Sequence, residues 1–311
     1  MTDFRLPDFI IGGAMKSGTS SLHLLLHELP DVFMARPELF YFDVDDVEQH
    51  PEFFSGPDGA WAMPRFAFRN DKYFARYASY FQDAPPTALI GEDSTTYLAS
   101  GLAPRRIRAA LPDVRLIFLL RDPVQRTYSH YWHLVRSGRA TAGFEETLRT
   151  TPGTLLQRSV YRPQVERYLE LFPREQLRFV LFEEFVEDPL ATLRSVATFL
   201  GIKIPDMLPA PPHHNPARIP RSTRLHLAGN RVFGRHGQRP ARALLEEPRR
   251  HGIGSSAGWT GRFMRLNLTQ ARPPQMAPNT RQALNGYFAV ENEGVGELTS
   301  LNLAKHWYRA A

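Results

Sequence analysis

The sequence predicts an α/β protein in which helices cover both faces of a central parallel sheet. Four short apolar segments have the length and composition of buried strands, and segments with a helical spacing of apolar residues lie between them. Strands that alternate with helices form parallel sheets, because the helices serve as the crossovers between strands. The predicted strands are Phe9–Ala14, Ala88–Gly91, Arg115–Leu120 and Leu177–Leu181.

The helices are predicted from the spacing of their apolar residues and from the residues at their ends. In the first, leucines recur at helical spacing from Leu22 to Leu29, and Pro30 stops the helix. Pro123 begins another helix, at a position where the missing N–H costs nothing. The predicted helices are Ser20–Leu29, Pro104–Leu111, Pro123–Arg136, Tyr161–Leu171, Pro189–Leu200 and Thr280–Val290.

The composition excludes several classes of chemistry. The 311 residues include no cysteine, which excludes disulfides, thiolate catalysis and cysteine-ligated metals, and no metal site is predicted. A net charge of +6 suits an anionic ligand, but the basic residues are scattered and nearly all arginine, so we expect no nucleic-acid partner. No apolar run could cross a bilayer, and Met1–Pro7 lacks the features of a signal peptide; the expected location is cytoplasmic.

The segment that joins the first strand to the first helix has the residues of an anion-binding loop. From Gly12 to Ser21 it reads GGAMKSGTSS, where small residues let backbone N–H groups converge and hydroxyls add donors. Lys16 adds a full positive charge. Because Lys16 precedes Gly18, the order differs from the G-x-x-x-x-G-K-[ST] loop that binds nucleoside triphosphates. The alternative is a plain glycine turn without a ligand.

A second candidate site follows the strand Arg115–Leu120. Arg121 stands at the carboxyl end of this strand, where open α/β sheets bind ligands, and Ser129 lies about two turns into the next helix. A planar guanidinium can hold a phosphate with two hydrogen bonds, so the two side chains could grip one phosphate together. The alternative is that Arg121 pairs with Asp122 and that Ser129 is simply exposed.

Together the two segments resemble the PAPS-dependent sulfotransferase family, in which 3′-phosphoadenosine-5′-phosphosulfate (PAPS) gives up a sulfuryl group and leaves as PAP. Residues 16–22 (KSGTSSL) are similar to its 5′-phosphosulfate loop, and residues 121–131 (RDPVQRTYSHY) to its 3′-phosphate segment. Similarity covers most of residues 8–201, including GEDSTTYL at 91–98, and points to the heparan-sulfate-type and bacterial branch. The resemblance implies a P-loop-like three-layer fold and transfer to a hydroxyl or amine of a small-molecule or glycan acceptor.

The resemblance also implies roles for individual residues. Lys16 is expected to neutralise the oxygen that leaves sulfur, and Glu38 to take the proton of the acceptor. Acceptor contacts are expected from Phe40, Asp43 and Asp93. The residues expected to hold the donor are Lys16, Ser17, Gly18, Thr19, Ser20, Ser21, Arg121, Ser129 and, in the later Arg-rich region, Arg221.

The sequence departs from the family pattern around the acceptor. Pro37 stands where relatives carry lysine, Phe40 where they carry histidine, and Asp93 where they often carry lysine. Fewer cations there disfavour a highly sulfated polysaccharide as the acceptor. His130 and His133 are alternatives to the glutamate as the base. Two other functions stay open, a P-loop-type nucleotide kinase and a nucleotide-binding module without turnover.

A single domain is expected over residues 1–311, with residues 8–201 as the nucleotide-binding core. After Gly201 the composition changes, since residues 205–220 are rich in Pro and His and residues 218–250 in Arg and Gly. We interpret residues 202–311 as an Arg-rich, partly irregular loop region followed by a C-terminal helix. The sequence gives no indication of the oligomeric state.

Overall fold

A parallel five-stranded sheet forms the centre of the computed structural model, which describes residues 5–36, 38–54, 60–63, 66, 68, 71–204, 218–233 and 266–308. Its strands are β1 (Phe9–Gly13), β2 (Val32–Met34), β3 (Leu89–Asp93), β4 (Arg115–Leu120) and β5 (Leu177–Leu181). They lie in the order β2-β3-β1-β4-β5, so that β1 pairs with both β3 and β4. The parallel α/β fold predicted from the sequence is confirmed.

Helices connect the strands and cover the sheet. Those of the sheet region are α1 (Thr19–His27), α2 (Asp71–Ser79), α3 (Ala103–Ala110), α4 (Pro123–Arg136), α5 (Phe144–Thr150), α6 (Pro152–Leu156), α7 (Arg162–Leu171), α8 (Phe182–Glu187) and α9 (Pro189–Leu200). They are followed by α10 (Thr223–Phe233), α11 (Pro278–Glu291) and α12 (Val295–Thr299). Within these described ranges, no helix combines the length and the apolar character that a membrane span requires.

Short elements complete the architecture. Two three-residue strands, β6 (Arg218–Pro220) and β7 (Leu268–Gln270), pair antiparallel to each other away from the main sheet. Single 3₁₀ turns lie at Pro51–Phe53, Gln157–Ser159, Arg174–Gln176 and Leu303–Lys305.

One helix lies in the region after Gly201 that the sequence predicted to be partly irregular. Residues 223–233 form α10, although their arginines and glycine had suggested an irregular segment. Its described apolar positions, such as Leu227, pack against the cluster around α4, so tertiary contacts outweigh the weak local pattern. The rest of the predicted Arg-rich stretch, residues 234–250, and residues 205–217 of the Pro- and His-rich stretch lie outside the described residues.

Side chains alternate between the two faces of the sheet, as the pleat of a strand requires. On one face Ile10 of β1 joins a core cluster with Leu116 and Phe118 of β4. On the other face Phe9 and Ile11 pack with the leucines of α1 and α9. Apolar residues on both faces explain why the strands read as continuous hydrophobic runs, and they confirm the three-layer arrangement.

A third apolar cluster places the later helices against α4. Val124, Tyr131 and Val135 of α4 pack with Phe144 of α5 and Phe288 of α11, all of them buried. The segment after α12 then returns toward the carboxyl end of β4, where Trp307 is 3% exposed. This return brings the end of the described chain close to one of the predicted phosphate sites.

Candidate active site

The predicted site residues gather at the carboxyl ends of β1, β3 and β4, the edge where parallel sheets bind ligands. The loop after β1 carries Lys16, the segment after β3 contacts Glu38, and Arg121 follows β4 directly. Because β1 lies between β3 and β4, the three strand ends are neighbours. The sheet order therefore converts three distant sequence segments into one site.

The loop between β1 and α1 has the form of an anion cradle. Gly18 is the N-cap of α1 with φ 84°, and no side chain caps the helix. Apart from the N–H of Ser21, which donates to the oxygen of Gly18 at 3.0 Å, the first amides are left for a ligand. A side chain at Gly18 would clash, because an added Cβ would lie 2.9 Å from the ring of Phe182. Ser17 is fully buried, and its hydroxyl has no hydrogen-bond partner among the described residues. A phosphate oxygen would satisfy these donors.

Arg121 joins the two predicted phosphate sites. Its Nη1 donates a hydrogen bond of 2.9 Å to the backbone oxygen of Lys16, and its guanidinium lies 4.6 Å from the centroid of the Phe182 ring. Asp122, the alternative ion-pair partner, instead caps α4 by accepting a 2.8 Å hydrogen bond from the N–H of Gln125. The guanidinium is thus held beside the anion loop.

Lys16 lies among positive charges. Burial and the nearby guanidinium groups of Arg136 and Arg121 lower the pKa of Lys16 to about 8, and the Glu38 carboxylate opposes this shift. The residue has φ 73°, in the left-handed region that non-glycine residues rarely occupy. An anion bound in the loop would relieve the repulsion among these cations.

Arg136 is a site residue that the sequence interpretation missed. It lies on α4 two turns after Ser129, so the two residues share one face of the helix. Its positive charge contributes to the lowered pKa of Lys16. The pKa of Arg136 itself is lowered by burial and by the nearby Arg218. The seven-residue spacing from Ser129 was the signal in the sequence that could have identified Arg136. Ser129 itself is half-buried.

Arg221, the predicted late contact to the donor, stands exposed just after β6. Its backbone N–H donates to the oxygen of Asn267 at 2.6 Å. In the described part of this region, Arg218 is the residue whose charge lowers the pKa of Arg136 on α4.

Glu38 is fixed by the segment that follows β3. Its Oε1 accepts a 2.8 Å hydrogen bond from the hydroxyl of Thr95 and a longer one, 3.4 Å, from the Thr95 backbone N–H. Its charge also raises the pKa of Lys16, which places the two predicted catalytic groups within electrostatic reach of each other. A carboxylate beside an ammonium group is a suitable arrangement for a base next to a charge-neutralising cation.

A buried network holds the backbone on which Glu38 stands. The hydroxyl of Ser94 accepts hydrogen bonds from the N–H groups of Leu39 (3.2 Å) and Phe40 (3.1 Å) and donates to Glu92 at 2.8 Å. Tyr97 and Tyr77 also donate to the Glu92 carboxylate, at 2.7 and 2.5 Å. Burial raises the pKa of Glu92 to about 7, although these three donors favour its ionised form. The network was not foreseen, although a hydroxyl-rich run directly after a strand was its signal.

Asp43 and Phe40, both predicted acceptor contacts, lie around His50. Asp43 is completely buried, with Oδ1 3.1 Å from His50 Nε2. The ring of Phe40 packs edge-on against His50 with a centroid distance of 4.9 Å. Because Asp43 is buried, it could influence an acceptor only through residues that it contacts, such as His50.

Asp93, the third predicted acceptor contact, ends β3. It is 5% exposed, and its Oδ2 lies 3.5 Å from Nδ1 of His23 on α1. Its other oxygen has no hydrogen-bond partner in the described part of the chain. A nearly buried carboxylate thus stands at the end of β3.

The two histidines weighed as alternative bases lie on α4 among arginines. His130 is fully buried, and burial together with Arg158 and Arg126 keeps its pKa well below the usual range. The pKa of His133 is also lowered well below its usual range, by burial and by nearby cations that include Lys16. Burial removes the first from contact with an acceptor, and both are held neutral and weakly basic. These features disfavour both histidines as the base.

Comparison with known proteins agrees with this geometry. A family model described as the sulfotransferase family matches residues 7–206. Human bifunctional heparan sulfate N-deacetylase/N-sulfotransferase 2 is 29% identical over 211 residues, which cover 64% of this chain and 22% of the human protein. Mouse heparan sulfate glucosamine 3-O-sulfotransferase 3B1 is 30% identical over 211 residues, covering 64% of this chain and 47% of the mouse protein. The chain thus spans less than half the length of these curated relatives.

A solved structure supports the same assignment over nearly the whole chain. The crystal structure of a sulfotransferase from Alicyclobacillus acidocaldarius is 25% identical, has a TM-score of 0.65, and is matched over 97% of this chain and 98% of that one. Since the family model covers well over half of the residues, the chain belongs to the sulfotransferase family.

Proposed function

We propose that this protein transfers a sulfuryl group from PAPS to a hydroxyl or amine of a small-molecule or glycan acceptor. The observation that carries the proposal is the contact between Arg121 and the Lys16 loop, which places two cationic sites side by side. PAPS has phosphate groups at both ends of its ribose, and its transferable sulfuryl group is attached to the 5′ end. Family membership is the second support.

The donor would be held by two groups of residues. The amides at the start of α1, with the hydroxyls of Ser17 and Thr19, would bind the 5′-phosphosulfate, and the uncapped helix end provides them. The exposed Ser20 and half-buried Ser21 add hydroxyls at the rim. Arg121 and Ser129 would bind the 3′-phosphate, with the guanidinium already oriented by the backbone of the loop.

Lys16 and Glu38 would divide the chemistry between them. Glu38 would accept the proton of the acceptor as the new bond to sulfur forms, since a carboxylate held at a fixed position can act as a general base. Lys16 would neutralise the charge that develops on the phosphate oxygen as the old bond to sulfur breaks. The remainder of the rate enhancement would come from aligning the two reactants.

The acceptor is proposed only by class. The relatives named above include an N-sulfotransferase and a 3-O-sulfotransferase that act on heparan sulfate, so both an amine and a hydroxyl remain in the proposal. Asp93 brings a buried carboxylate to the end of β3. We infer that it disfavours an acceptor with a sulfate group at that point, because like charges repel.

Calorimetric titration with PAP, AMP and ATP tests the donor proposal. We expect PAP to bind about tenfold to hundredfold more tightly than AMP, the range given by charge-assisted hydrogen bonds to one added phosphate. Equal affinities for PAP and AMP would overturn it. Tighter binding of ATP with magnesium would favour the nucleotide kinase instead.

Transfer of radiolabelled sulfate from PAPS to a panel of alcohols, amines and glycans tests turnover. Formation of a labelled product by the unsubstituted protein, and its loss in Lys16→Ala, supports sulfuryl transfer at this site. PAP binding without any product across the panel favours the module that binds nucleotide without turnover.

A further inference from the structure

The segment 303–308 lies against the strand end that carries Arg121. It follows α12 with a 3₁₀ turn at Leu303–Lys305 and then buries Trp307, which is 3% exposed. The next backbone N–H, that of Tyr308, donates a hydrogen bond of 3.2 Å to Oδ2 of Asp122. The Tyr308 hydroxyl donates to the oxygen of Phe288 at 2.9 Å, which fixes the segment to α11.

Tyr161 links the same segment to the backbone of Arg121. Its hydroxyl donates to the Arg121 oxygen at 2.9 Å and accepts from the Arg121 N–H at 3.4 Å. Its ring packs against that of Trp307, with a centroid distance of 5.6 Å. The other end of Tyr161 is held by Asn292, whose Oδ1 accepts from the Tyr161 N–H at 2.6 Å. The peptide of Arg121 is therefore fixed by groups that Trp307 covers.

Asp122 is a potential competitor for the Arg121 guanidinium. The two residues are adjacent, and a free carboxylate beside a guanidinium forms an ion pair readily when water is excluded. In the structure both Asp122 oxygens are engaged, one by the N–H of Gln125 and the other by the N–H of Tyr308. Loss of the second contact would leave Oδ2 able to turn toward Arg121.

We propose that the segment 303–308 is a positioning element of the 3′-phosphate site. It engages the Asp122 carboxylate and covers Tyr161, so that Asp122 is kept from pairing with the Arg121 guanidinium, near which Glu183 is the other carboxylate. This rests on the proposed function, in which Arg121 binds the 3′-phosphate of the donor. In this role the segment makes the site selective for nucleotides that carry a 3′-phosphate.

Two substitutions at one position separate the contact from general stability. Tyr308 has φ 60°, which glycine adopts easily and proline cannot, and proline also lacks the N–H that reaches Asp122. Both remove the same side chain. By calorimetry we expect Tyr308→Pro to weaken PAP binding about tenfold and AMP binding less than twofold, and Tyr308→Gly to change either by less than twofold.

A rescue makes the test specific. Asn also caps helices but brings no charge, so Asp122→Asn in the Tyr308→Pro background should restore PAP affinity to within threefold of the unsubstituted protein. Glu166→Gln is the control outside the segment, since Glu166 pairs with Arg162 at an exposed position of α7. It should leave both affinities unchanged.

The outcomes distinguish the two proposals. If the unsubstituted protein binds PAP and AMP equally, the 3′-phosphate assignment fails and this inference fails with it. If it prefers PAP and Tyr308→Pro keeps the full preference, only the role of the segment is overturned. An equal loss for PAP and AMP, or no rescue by Asp122→Asn, shows a merely structural role and also overturns it.

Discussion

Lys16 is the residue at which the electrostatics of the site are concentrated. Buried beside Arg136 and Arg121, it has a pKa of about 8, and Glu38 is the one carboxylate among the groups that shift it. A lysine of this kind exchanges its proton near physiological pH and is stabilised in its charged form by an anion. The loop therefore gains positive charge when an anionic donor arrives.

This makes PAP affinity dependent on pH through Lys16. Because the pKa is lowered in the free protein and the anion favours the charged form, binding above pH 8 requires uptake of a proton. We expect the association constant to fall by up to about tenfold per pH unit between pH 8 and 9 and to be level between pH 7 and 7.5. Isothermal titration in buffers of different ionisation enthalpy measures both the slope and the proton uptake.

Lys16→Arg is the matched variant, since a guanidinium keeps its charge throughout this range. Its PAP affinity should be nearly level from pH 7 to 9. A slope equal to that of the unsubstituted protein would place the titrating group elsewhere.

Replacement of Glu38 should lower turnover and leave the affinity for the donor nearly unchanged. Glu38→Gln keeps the size of the side chain and one acceptor oxygen for Thr95 but cannot accept the acceptor's proton. We expect sulfate transfer to fall about 10²-fold or more, within the range for general-base catalysis, while PAP affinity changes less than threefold. The measurements are initial rates with labelled PAPS and calorimetry with PAP. Unchanged turnover would move the base to another group.

The sequence identified residues that belong to a recognisable motif and missed those whose partners are set by the path of an irregular segment. Lys16 and Arg121 were predicted because each belongs to a strand end with a recognisable motif. The pairing of Asp43 with His50 could not be predicted, because both lie in an irregular segment where no periodicity fixes their orientation. The role of Ser94 likewise depends on a loop more than 50 residues away.

At the scale of elements, boundaries marked by proline or by strong apolar runs were predicted well. Strand β4 and helix α4 match their predicted bounds, because Pro123 fixes the helix start and five apolar residues fill the strand. Strand β2 has three residues, too few for a periodic signal, and helix α2 lies in an aromatic stretch that its packing decides. The expectation of a single domain stays a prediction.

The segment after β3 should position the loop that carries Glu38. Ser94→Ala removes one hydroxyl and leaves the N–H groups of Leu39 and Phe40 without their acceptor. We expect turnover to fall about tenfold as the loop shifts, with PAP affinity changed less than twofold, and the free energy of unfolding to fall by about 1–3 kcal/mol. Rates, calorimetry and urea denaturation measure the three effects.

Ser79→Ala is the control for this element, since the Ser79 hydroxyl donates to the oxygen of Arg76 at an exposed helix end. It should leave turnover intact. If Ser94→Ala lowered stability and left turnover unchanged, the segment would serve the fold and not the base.

At the scale of the whole molecule, Glu92 couples stability to pH. Its carboxyl is fully buried between β3 and the aromatic core, where it accepts hydrogen bonds from Tyr77 and Tyr97. Burial raises its pKa from 4.5 to about 7, so the folded protein holds this proton over a pH range in which the unfolded chain has released it. The stabilising contribution is complete below pH 4.5, is lost as pH rises toward 7, and changes little above that.

Replacing this carboxyl should flatten the pH dependence of stability. Glu92→Gln cannot ionise, so the difference in unfolding free energy between Glu92→Gln and the unsubstituted protein should shift in favour of the variant by about 3 kcal/mol between pH 4.5 and 7.5. Urea denaturation at intervals of half a pH unit measures this difference, with a substitution of the same kind at an exposed position, Glu48→Gln, as the control. Parallel curves for Glu92→Gln and the unsubstituted protein would mean that the Glu92 carboxyl ionises as easily in the core as in water, which the burial of its partners argues against.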